Sequence, residues 1–466
     1  MTLIHNIETA KEQFRNWHNW WFQRNNFDLR DHLLFLRGVG KWLLLGGLVG
    51  ICAGLASALF LVLLAEVTRI RIGNPLLILL LPAAGFVLGW IYLRFSGTAA
   101  RGSNLVVEAA NAEENSPYQD VPLRMAPLVL IGTLITHLFG GSAGREGTAV
   151  QMGTALADTL RRTLGLTGID RRLMIMAGIS GGFASVFGTP AAGFLFGLEV
   201  RRAGGIRYDA IVPCFSAAVV GDWVVRTLGV SHAHHPVLMP APDDPLLLVK
   251  VVIAGIAFGL TSLLFIEGIH FVKRLSRRWI PYPPLRLVAG GVVVVGLTLL
   301  FKATIYNGLS DDLITMSVEG LPVPTLAFLL KLILTAVTLG AGFIGGEVTP
   351  LFVIGSTLGA TLAPVLGVDQ GFLASLGFVA VFAGASNTPL ACVMMGVELF
   401  GGNALIMVAI ACFTAYLASG HRGIYASQLI AAPKAASLRV MPEEGESLEE
   451  YSERRSNQQF EPPAER

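Results

Sequence analysis

Long apolar runs, interrupted by glycines and short charged stretches, dominate the pattern of the chain. Five runs of 18 to 27 residues start at Lys41, Pro75, Leu246, Leu326 and Asn403, and charges are rare within them. A helix that crosses the hydrocarbon core of a bilayer needs about 20 such residues. The pattern therefore predicts an all-α, polytopic membrane protein with several membrane-spanning helices.

Composition narrows that prediction to a closely packed helical bundle. Of the 466 residues, 53% are hydrophobic and 14% are charged, whereas a soluble domain carries about 25% charged residues. The 53 glycines favour close helix packing and breaks in helices inside the membrane. A net charge of +2 gives no reason to expect nucleic acid or another polyanion as a partner.

The distribution of charge divides the chain into three segments. Residues 1–40 combine arginines with several tryptophans and are expected to form a cytoplasmic, interfacial segment on the membrane surface. Residues 41–433 hold the apolar runs and are expected to form the transmembrane domain. Residues 434–466 are polar and are expected to be a disordered tail.

Basic loops predict which ends of the helices face the cytoplasm. Arginines and lysines cluster at 161–172, 201–207 and 273–278, and such clusters favour the cytoplasmic side. The acidic stretch at 112–120 and the loop with the histidines at 232–235 are weaker candidates for the outside. We expect a multi-pass protein of the cell membrane, with a prokaryotic inner membrane as the setting.

Residue types that carry metal binding or catalysis are sparse. The four cysteines lie singly in apolar runs and are expected to pack in the core, and the HAHH stretch at His232–His235 is more typical of a solvated turn than of a metal site. The chain has no HExxH motif, and its GxSxG matches, at 140–144 and 178–182, lie in glycine-rich apolar stretches and do not form the strand-to-helix nucleophile elbow. We therefore expect no cofactor, no metal site and no enzymatic activity.

An internal repeat is the most informative feature of the organisation. A shift of 199 positions places GISGGFASVFGTPAAGFLFGLE over GFVAVFAGASNTPLACVMMGVE, and a shift of 201 places GREGT over GGEVT. The second shift aligns Glu146 with Glu347 and Thr148 with Thr349. The repeat predicts two related halves, about 41–230 and 246–433. Transporters built in this way bind their substrate near the bilayer midplane, between broken helices of the two halves.

The charged pair in GSAGREGT is costly inside a bilayer, and the repeat suggests why it is kept. Glycine-broken helix starts present free N–H groups and a partial positive charge, so converging helix starts can bind an anion. Glu146 at such a start could occupy the anion site when ionised and leave it when protonated, which would couple protons to anions. The alternative is a structural Arg145–Glu146 pair or a helix cap.

Four motifs, GSAGREGTAVQMG, GGFASVFGTPAAGFLFGLEV, GFIGGEVTPLFVIGSTLGA and GIYASQL, occur in order between about residues 41 and 430. In sequence and order they resemble the CLC family of chloride channels and anion/proton antiporters. The resemblance implies a CLC-type inverted repeat with a midplane anion site, and a homodimer with one pathway in each subunit. It also implies that Glu146 is the outer gate and proton acceptor, that Tyr425 hydrogen-bonds the anion, and that Ser103 is the inner coordinating serine.

Departures from the chloride pattern resemble the fluoride/proton antiporter branch of the family. GREGT and GGEVTP replace the usual GREGP and a GGxFAP-like stretch, and Val200 stands where many chloride antiporters have an inner proton-accepting glutamate. Glu347 is then the candidate second proton group. Ser103 instead resembles the chloride branch, so a chloride/proton antiporter and a passive chloride channel stay open as alternatives. The other candidate anion-binding residues are Asn104, Gly144, Arg145, Gly147, Thr148, Val348 and Thr349.

Glu199 and Glu398 align in the repeat and are the remaining buried acids of interest. They could take part in proton transfer. The simpler prediction is that they are helix-end acids, bonded to the backbone or to the Arg201–Arg202 pair.

Overall fold

Seventeen α-helices form almost all of the regular structure in the described residues of the computed structural model, which are 11–12, 29–112, 120–232, 245–435 and 440–459. In chain order the helices are α1 (Leu29–Gly73), α2 (Leu81–Phe95), α3 (Ser103–Asn111), α4 (Met125–Leu138), α5 (Glu146–Thr163), α6 (Gly168–Phe187), α7 (Pro190–Glu199), α8 (Ile211–Thr227), α9 (Pro245–Trp279), α10 (Pro283–Leu300), α11 (Asp311–Val318), α12 (Ala327–Ala341), α13 (Val348–Leu366), α14 (Gln370–Ser386), α15 (Pro389–Phe400), α16 (Leu405–Ala418) and α17 (Leu448–Gln459). Two short parallel strands, β1 (Arg202–Ala203) and β2 (Leu429–Ile430), pair with each other. The predicted all-α class is confirmed.

Six helical segments of the described chain are long and apolar enough to cross a membrane. They are Arg30–Gly73, Pro75–Phe95, Tyr208–Thr227, Pro245–Trp279, Pro283–Leu300 and Val348–Leu366. The apolar runs from Leu326 and Asn403 form shorter helices, α12 and α16. The polytopic prediction is confirmed, with two shorter helices where the sequence suggested full spans.

The prediction of an interfacial N-terminal segment can be compared with the structure over only part of its length. Most of the predicted interfacial segment, residues 1–40, lies outside the described residues. From Leu29 onward the chain is already helical and continues without a break into the first apolar run, as one helix of 45 residues.

The core is made of two similar helix pairs, α5 with α6 and α13 with α14, one pair from each half. Every residue of α14 from Gly371 to Ser386 is buried. Glycines at the crossings explain the close approach: a Cβ at Gly377 would lie 2.1 Å from the carbonyl oxygen of Gly355, and a Cβ at Gly178 would lie 2.9 Å from that of Gly153. Gly178 and Gly377 are equivalent in the sequence repeat, so the repeat marks the same backbone crossing twice.

Two glutamates lock the halves together by capping helices reciprocally. Glu398, near the end of α15, accepts the backbone N–H groups of Ala191 and Ala192 at 2.9 and 2.8 Å, at the start of α7. Glu199, at the end of α7, accepts those of Leu390 and Ala391 at 3.2 and 3.0 Å, at the start of α15. Each carboxylate satisfies free N–H groups and lies at the positive end of a helix dipole. The sequence left open whether these acids bond to the backbone or to the Arg201–Arg202 pair, and the structure shows bonding to the backbone.

We expect Glu398→Ala to destabilise the protein, because two N–H groups of α7 lose their only charged acceptor. The loss is about 0.5–2 kcal/mol, the range for removal of an N-cap side chain. Glu398→Gln should be intermediate, since its amide oxygen can still accept a hydrogen bond. The melting temperature in detergent measures this order, with Glu319→Ala, an exposed glutamate, as control; equal melting temperatures for all four proteins would contradict the cap.

The face that carries the basic loops is the one that the sequence predicts to be cytoplasmic, and it is called the inner face. Lys41 of α1 pairs with Asp170 at the start of α6, and Arg161 at the end of α5 pairs with Asp120 at 2.8 Å. Asp120 closes the acidic stretch at 112–120, so that stretch ends on the basic face and the weaker prediction that it lies outside is wrong there. At the outer face, a Cβ at Gly308 would lie 3.0 Å from Arg71, near the other end of α1.

The predicted disordered tail is wrong for residues 440–459. These residues include α17, whose Leu448 and Tyr451 are 4% and 2% exposed. Leu448 and Tyr451 form a small apolar cluster with Ile430. Composition did not predict this helix because most of its residues are polar. Two apolar side chains are enough to dock it when its backbone also hydrogen-bonds to the rest of the protein.

Candidate anion site

Two glycine loops, one from each half, meet at the starts of α5 and α13. Gly144 and Gly346 exchange two backbone hydrogen bonds, N–H to O=C, of 2.7 and 2.8 Å. The contact leaves no room for side chains: a Cβ at Gly346 would lie 2.8 Å from the backbone nitrogen of Gly147, and one at Gly144 would lie 3.0 Å from a carboxylate oxygen of Glu146. The glycines therefore allow two helix starts to converge at one place.

Glu146 is the first residue of α5, yet its carboxylate lies at the start of α13. It accepts the backbone N–H of Thr349 at 2.9 Å and the hydroxyl of Thr349 at 2.6 Å. The side chain is fully buried. A helix start carries about half a positive charge, and the carboxylate satisfies free donors at that start.

Arg145 forms an ion pair with this carboxylate, as one of the alternatives from the sequence proposed, although the pair is long. Its backbone N–H lies 3.2 Å from Glu146 Oε2, but its guanidinium Nε is 3.5 Å from Oε1 and its Nη1 is 3.7 Å from Asp311 Oδ2. Arg145 and Asp311 also line a cavity of about 410 Å³ on the outer side, against α1. The guanidinium thus stands between the carboxylate and the outer cavity. No sequence motif pointed to Asp311.

Glu347 and Ser103 lie on the other side of the converging loops. A Cβ at Gly147 would be 3.7 Å from Glu347 Oε2 and 3.7 Å from Ser103 Oγ. Ser103 begins α3 and accepts a hydrogen bond of 3.2 Å from the side-chain amide of Gln151. Glu347 and Ser103 therefore share one place on the inner side of the loops.

Gln151 is a site residue that sequence reasoning missed. It is 7% exposed and lies one helical turn after Gly147, on the face of α5 that carries Gly147. The polar side chain in the buried start of α5 was the available signal.

Tyr425 is held in a turn that follows α16. It is 6% exposed, and its ring meets that of Phe196 edge to face at 6.4 Å. Among the described residues no protein group hydrogen-bonds to its hydroxyl. The hydroxyl therefore keeps its capacity to donate.

The side chains of Asn104 and Thr148 are hydrogen-bonded to other protein groups and not directed at the converging helix starts. The side-chain oxygen of Asn104 accepts the backbone N–H of Ser427 at 3.3 Å, so Asn104 fixes the Tyr425 turn. The hydroxyl of Thr148 is paired with that of Thr133 of α4 at 2.7 Å. Val348, the first residue of α13, is buried, with 1% of its surface exposed. Its side chain is apolar, so only its backbone can contribute to the site.

The histidine stretch gives no metal site in the described part of the chain. His232 lies 3.1 Å from the carbonyl oxygen of Ser185 through Nε2, and His234 and His235 lie outside the described residues. Within those residues no three potential ligands from His, Cys, Asp and Glu come together. The four cysteines are unpaired, and three of them are buried.

Comparisons with known proteins agree with the motifs. A family model described as voltage gated chloride channel matches residues 84–420. A chloride/fluoride channel protein of Pseudomonas syringae pv. tomato is 48% identical over 428 residues, covering 91% of this chain and 93% of the relative. An H(+)/Cl(-) exchange transporter ClcA of Vibrio parahaemolyticus is 27% identical over 336 residues, covering 66% of this chain and 69% of the relative.

A solved structure gives the same result at the level of the fold. The crystal structure of a CLC-type fluoride/proton antiporter matches with a TM-score of 0.80 and 35% sequence identity, over 84% of this chain and 98% of that chain. The resemblance predicted from the motifs is confirmed. The chain belongs to the voltage gated chloride channel family, the CLC family of channels and antiporters.

Proposed function

We propose that the protein exports fluoride across the cell membrane in exchange for protons, at the site between the starts of α5 and α13. One observation carries the proposal: the carboxylate of Glu146 is bound by the N–H and hydroxyl of Thr349. These are the donors a halide would need at that helix start. The carboxylate oxygens therefore stand in for a transported anion.

Exchange follows from competition for these donors. When Glu146 is ionised, it holds the helix start and excludes a halide. When it takes up a proton it loses its charge, its bonds to Thr349 weaken, and a halide can replace it. Repeated replacement then moves protons and anions through the same place in opposite directions.

Glu347 is proposed as the second proton group. It lies on the inner side of the loops, beside Gly147 and Ser103, whereas Glu146 lies beside the outer cavity. Val200 leaves the usual family position for an inner acid without a proton-accepting group. A proton released by Glu146 towards the cytoplasm would then be taken up by Glu347.

Fluoride is favoured over chloride by the chemistry of the donors. Fluoride is small and strongly hydrated, so a site must replace its water with short, well-placed donors. Thr349 offers a hydroxyl and an N–H that reach Glu146 at 2.6 and 2.9 Å, and a protonated Glu347 would add another donor. Proteins whose names include fluoride are among the relatives of this chain, and GREGT and GGEVTP resemble that branch.

Chloride/proton antiport and passive chloride conduction are the alternative functions. Ser103, with Gln151 donating to its hydroxyl oxygen, gives the inner side of the site a chloride-like donor. A relative named as an H(+)/Cl(-) exchange transporter supports the first alternative. A passive channel would share the helix starts but would not require a proton for each anion.

The assembly is proposed to be a homodimer in the bilayer, with one pathway in each subunit. The outward faces of α8 and α16 carry exposed apolar side chains, among them Phe215, Trp223, Ile406 and Leu417. Such faces can contact lipid or a second copy of the chain. The proposed partners are fluoride or chloride, protons, lipid and the second subunit.

The selectivity prediction is that fluoride leaves proteoliposomes faster than chloride. Vesicles loaded with equal fluoride and chloride are diluted into halide-free buffer, and both anions are followed with ion-selective electrodes. Protein-free vesicles correct for leakage of HF. Chloride efflux as fast as fluoride efflux, or faster, would replace the fluoride assignment by the chloride alternative.

A further inference from the structure

The C-terminal segment, residues 440–459, docks directly beneath the turn that carries Tyr425. The backbone N–H of Glu449 donates to the carbonyl oxygen of Ala426 at 3.1 Å, and that of Leu448 donates to the carbonyl oxygen of Gln428 at 3.0 Å. These are the first N–H groups of α17, which have no partner within the helix. The turn next to Tyr425 therefore caps α17, and α17 in turn fixes two carbonyl groups of that turn.

Side chains reinforce the same contact. A Cβ at Gly423 would lie 2.9 Å from Leu448 Cδ1, so Leu448 packs against the backbone two residues before Tyr425. The ring of Tyr451 meets that of His421 at 5.4 Å. Arg422 joins the hydroxyl of Ser452 to Glu267 of α9. Contacts thus run along the turn from its start to its end.

The turn has little regular structure of its own to hold it. Residues 419–428 lie between α16 and β2 without a helix. On the side away from α17 they are held by hydrogen bonds, including those of Asn387 to Arg422 and Gln428 and those of Gln428 to Val200 and Ser386. Ile424 donates its N–H to Ala385 at 2.9 Å, and Ser427 donates its N–H to Asn104 at 3.3 Å. The C-terminal segment supplies the support from the opposite, cytoplasmic side.

We propose that the C-terminal segment is a positioning element that holds the Tyr425 hydroxyl at the anion site, and thereby sets the affinity for fluoride. This rests on the proposed function and on the expectation, from the family resemblance, that Tyr425 hydrogen-bonds the anion. A hydrogen bond to a small anion depends steeply on distance and direction, so a turn that moves loses the bond even when the tyrosine is intact. The segment acts through Tyr425 and does not itself contact the anion.

Leu448→Ala tests the proposal because it removes the packing on Gly423 and leaves the backbone bonds possible. We expect the fluoride concentration for half-maximal efflux to rise several-fold, which is less than the roughly tenfold or more that complete loss of a hydrogen bond to an anion produces. The maximal rate at saturating fluoride should change less. Leu448→Met, which conserves volume, should retain the affinity of the unaltered protein. Glu453→Ala, on the exposed side of α17, should have no effect.

A double-mutant comparison separates positioning of Tyr425 from a general loss of structure. If Leu448 acts through the tyrosine hydroxyl, Leu448→Ala should add nothing in a Tyr425→Phe background. An equal loss of affinity in both backgrounds would overturn the proposal, as would unchanged affinity in Leu448→Ala. Deletion of residues 440–466 gives the same test with the whole segment removed, and the melting temperature of each variant identifies one that has failed to fold.

Measurements on the unaltered protein separate failure of the proposed function from failure of the role of the C-terminal segment. If the full chain neither binds fluoride in calorimetry nor releases it from vesicles, the proposed function fails. If the full chain transports fluoride and Leu448→Ala behaves identically, only the role of the C-terminal segment fails.

Discussion

Glu146→Gln is expected to abolish proton-coupled fluoride efflux. Glutamine can imitate the protonated carboxyl group, but it can neither release a proton nor carry the negative charge that competes with fluoride at Thr349. Proton movement in proteoliposomes should fall to that of protein-free vesicles, while fluoride movement either stops or continues uncoupled. Both rates are measured together, with a pH electrode and a fluoride electrode.

Glu319→Gln is the control for this substitution. Glu319 is an exposed glutamate that follows α11, and its replacement should leave both rates unchanged. Proton movement that persists in Glu146→Gln at the rate of the unaltered protein would contradict the role of Glu146 as proton acceptor.

Thr349→Val should weaken fluoride binding strongly. Valine has a similar shape but removes the hydroxyl that lies 2.6 Å from the Glu146 carboxylate, and it keeps the backbone N–H. Loss of a hydrogen bond to a charged group costs about 1.5–3 kcal/mol, which corresponds to a dissociation constant raised roughly tenfold or more. Calorimetric titration of the detergent-solubilised protein with fluoride measures it.

The sequence repeat supplies a matched control at Thr148. Its hydroxyl bonds to Thr133, not to Glu146, so Thr148→Val should change the melting temperature more than the fluoride affinity. If Thr148→Val weakens fluoride binding as much as Thr349→Val, the anion does not lie at the start of α13 as proposed.

Much of the fold could be predicted because the chain repeats itself. Gly178 and Gly377 recur at the same place in both halves, and the structure explains why: each allows two buried helices to cross in backbone contact. The convergence of Glu146 and Thr349 also follows from the repeat, since equivalent helix starts in an inverted pair face each other. Local motifs and their spacing carry this information.

Contacts between distant parts of the chain could not be predicted in this way. Gln151 and Asp311 reach the site through packing that no local pattern encodes. The caps made by Glu199 and Glu398 each connect residues from different halves, so a choice between backbone and arginine partners required the structure. Leu448 and Tyr451 stand in a polar stretch whose average composition resembles a disordered tail, and only the surface that receives them shows that they dock.

The central claim is that fluoride and protons move in opposite directions through one site, and a fluoride gradient without a pH gradient tests it most directly. Proteoliposomes are loaded with fluoride at the same pH inside and outside, with the membrane potential held at zero by potassium and valinomycin. Outward fluoride flux should then drive protons inward, so that the interior acidifies beyond the change in protein-free vesicles. Fluoride efflux with no protein-dependent acidification would contradict antiport and would identify the protein as a passive channel.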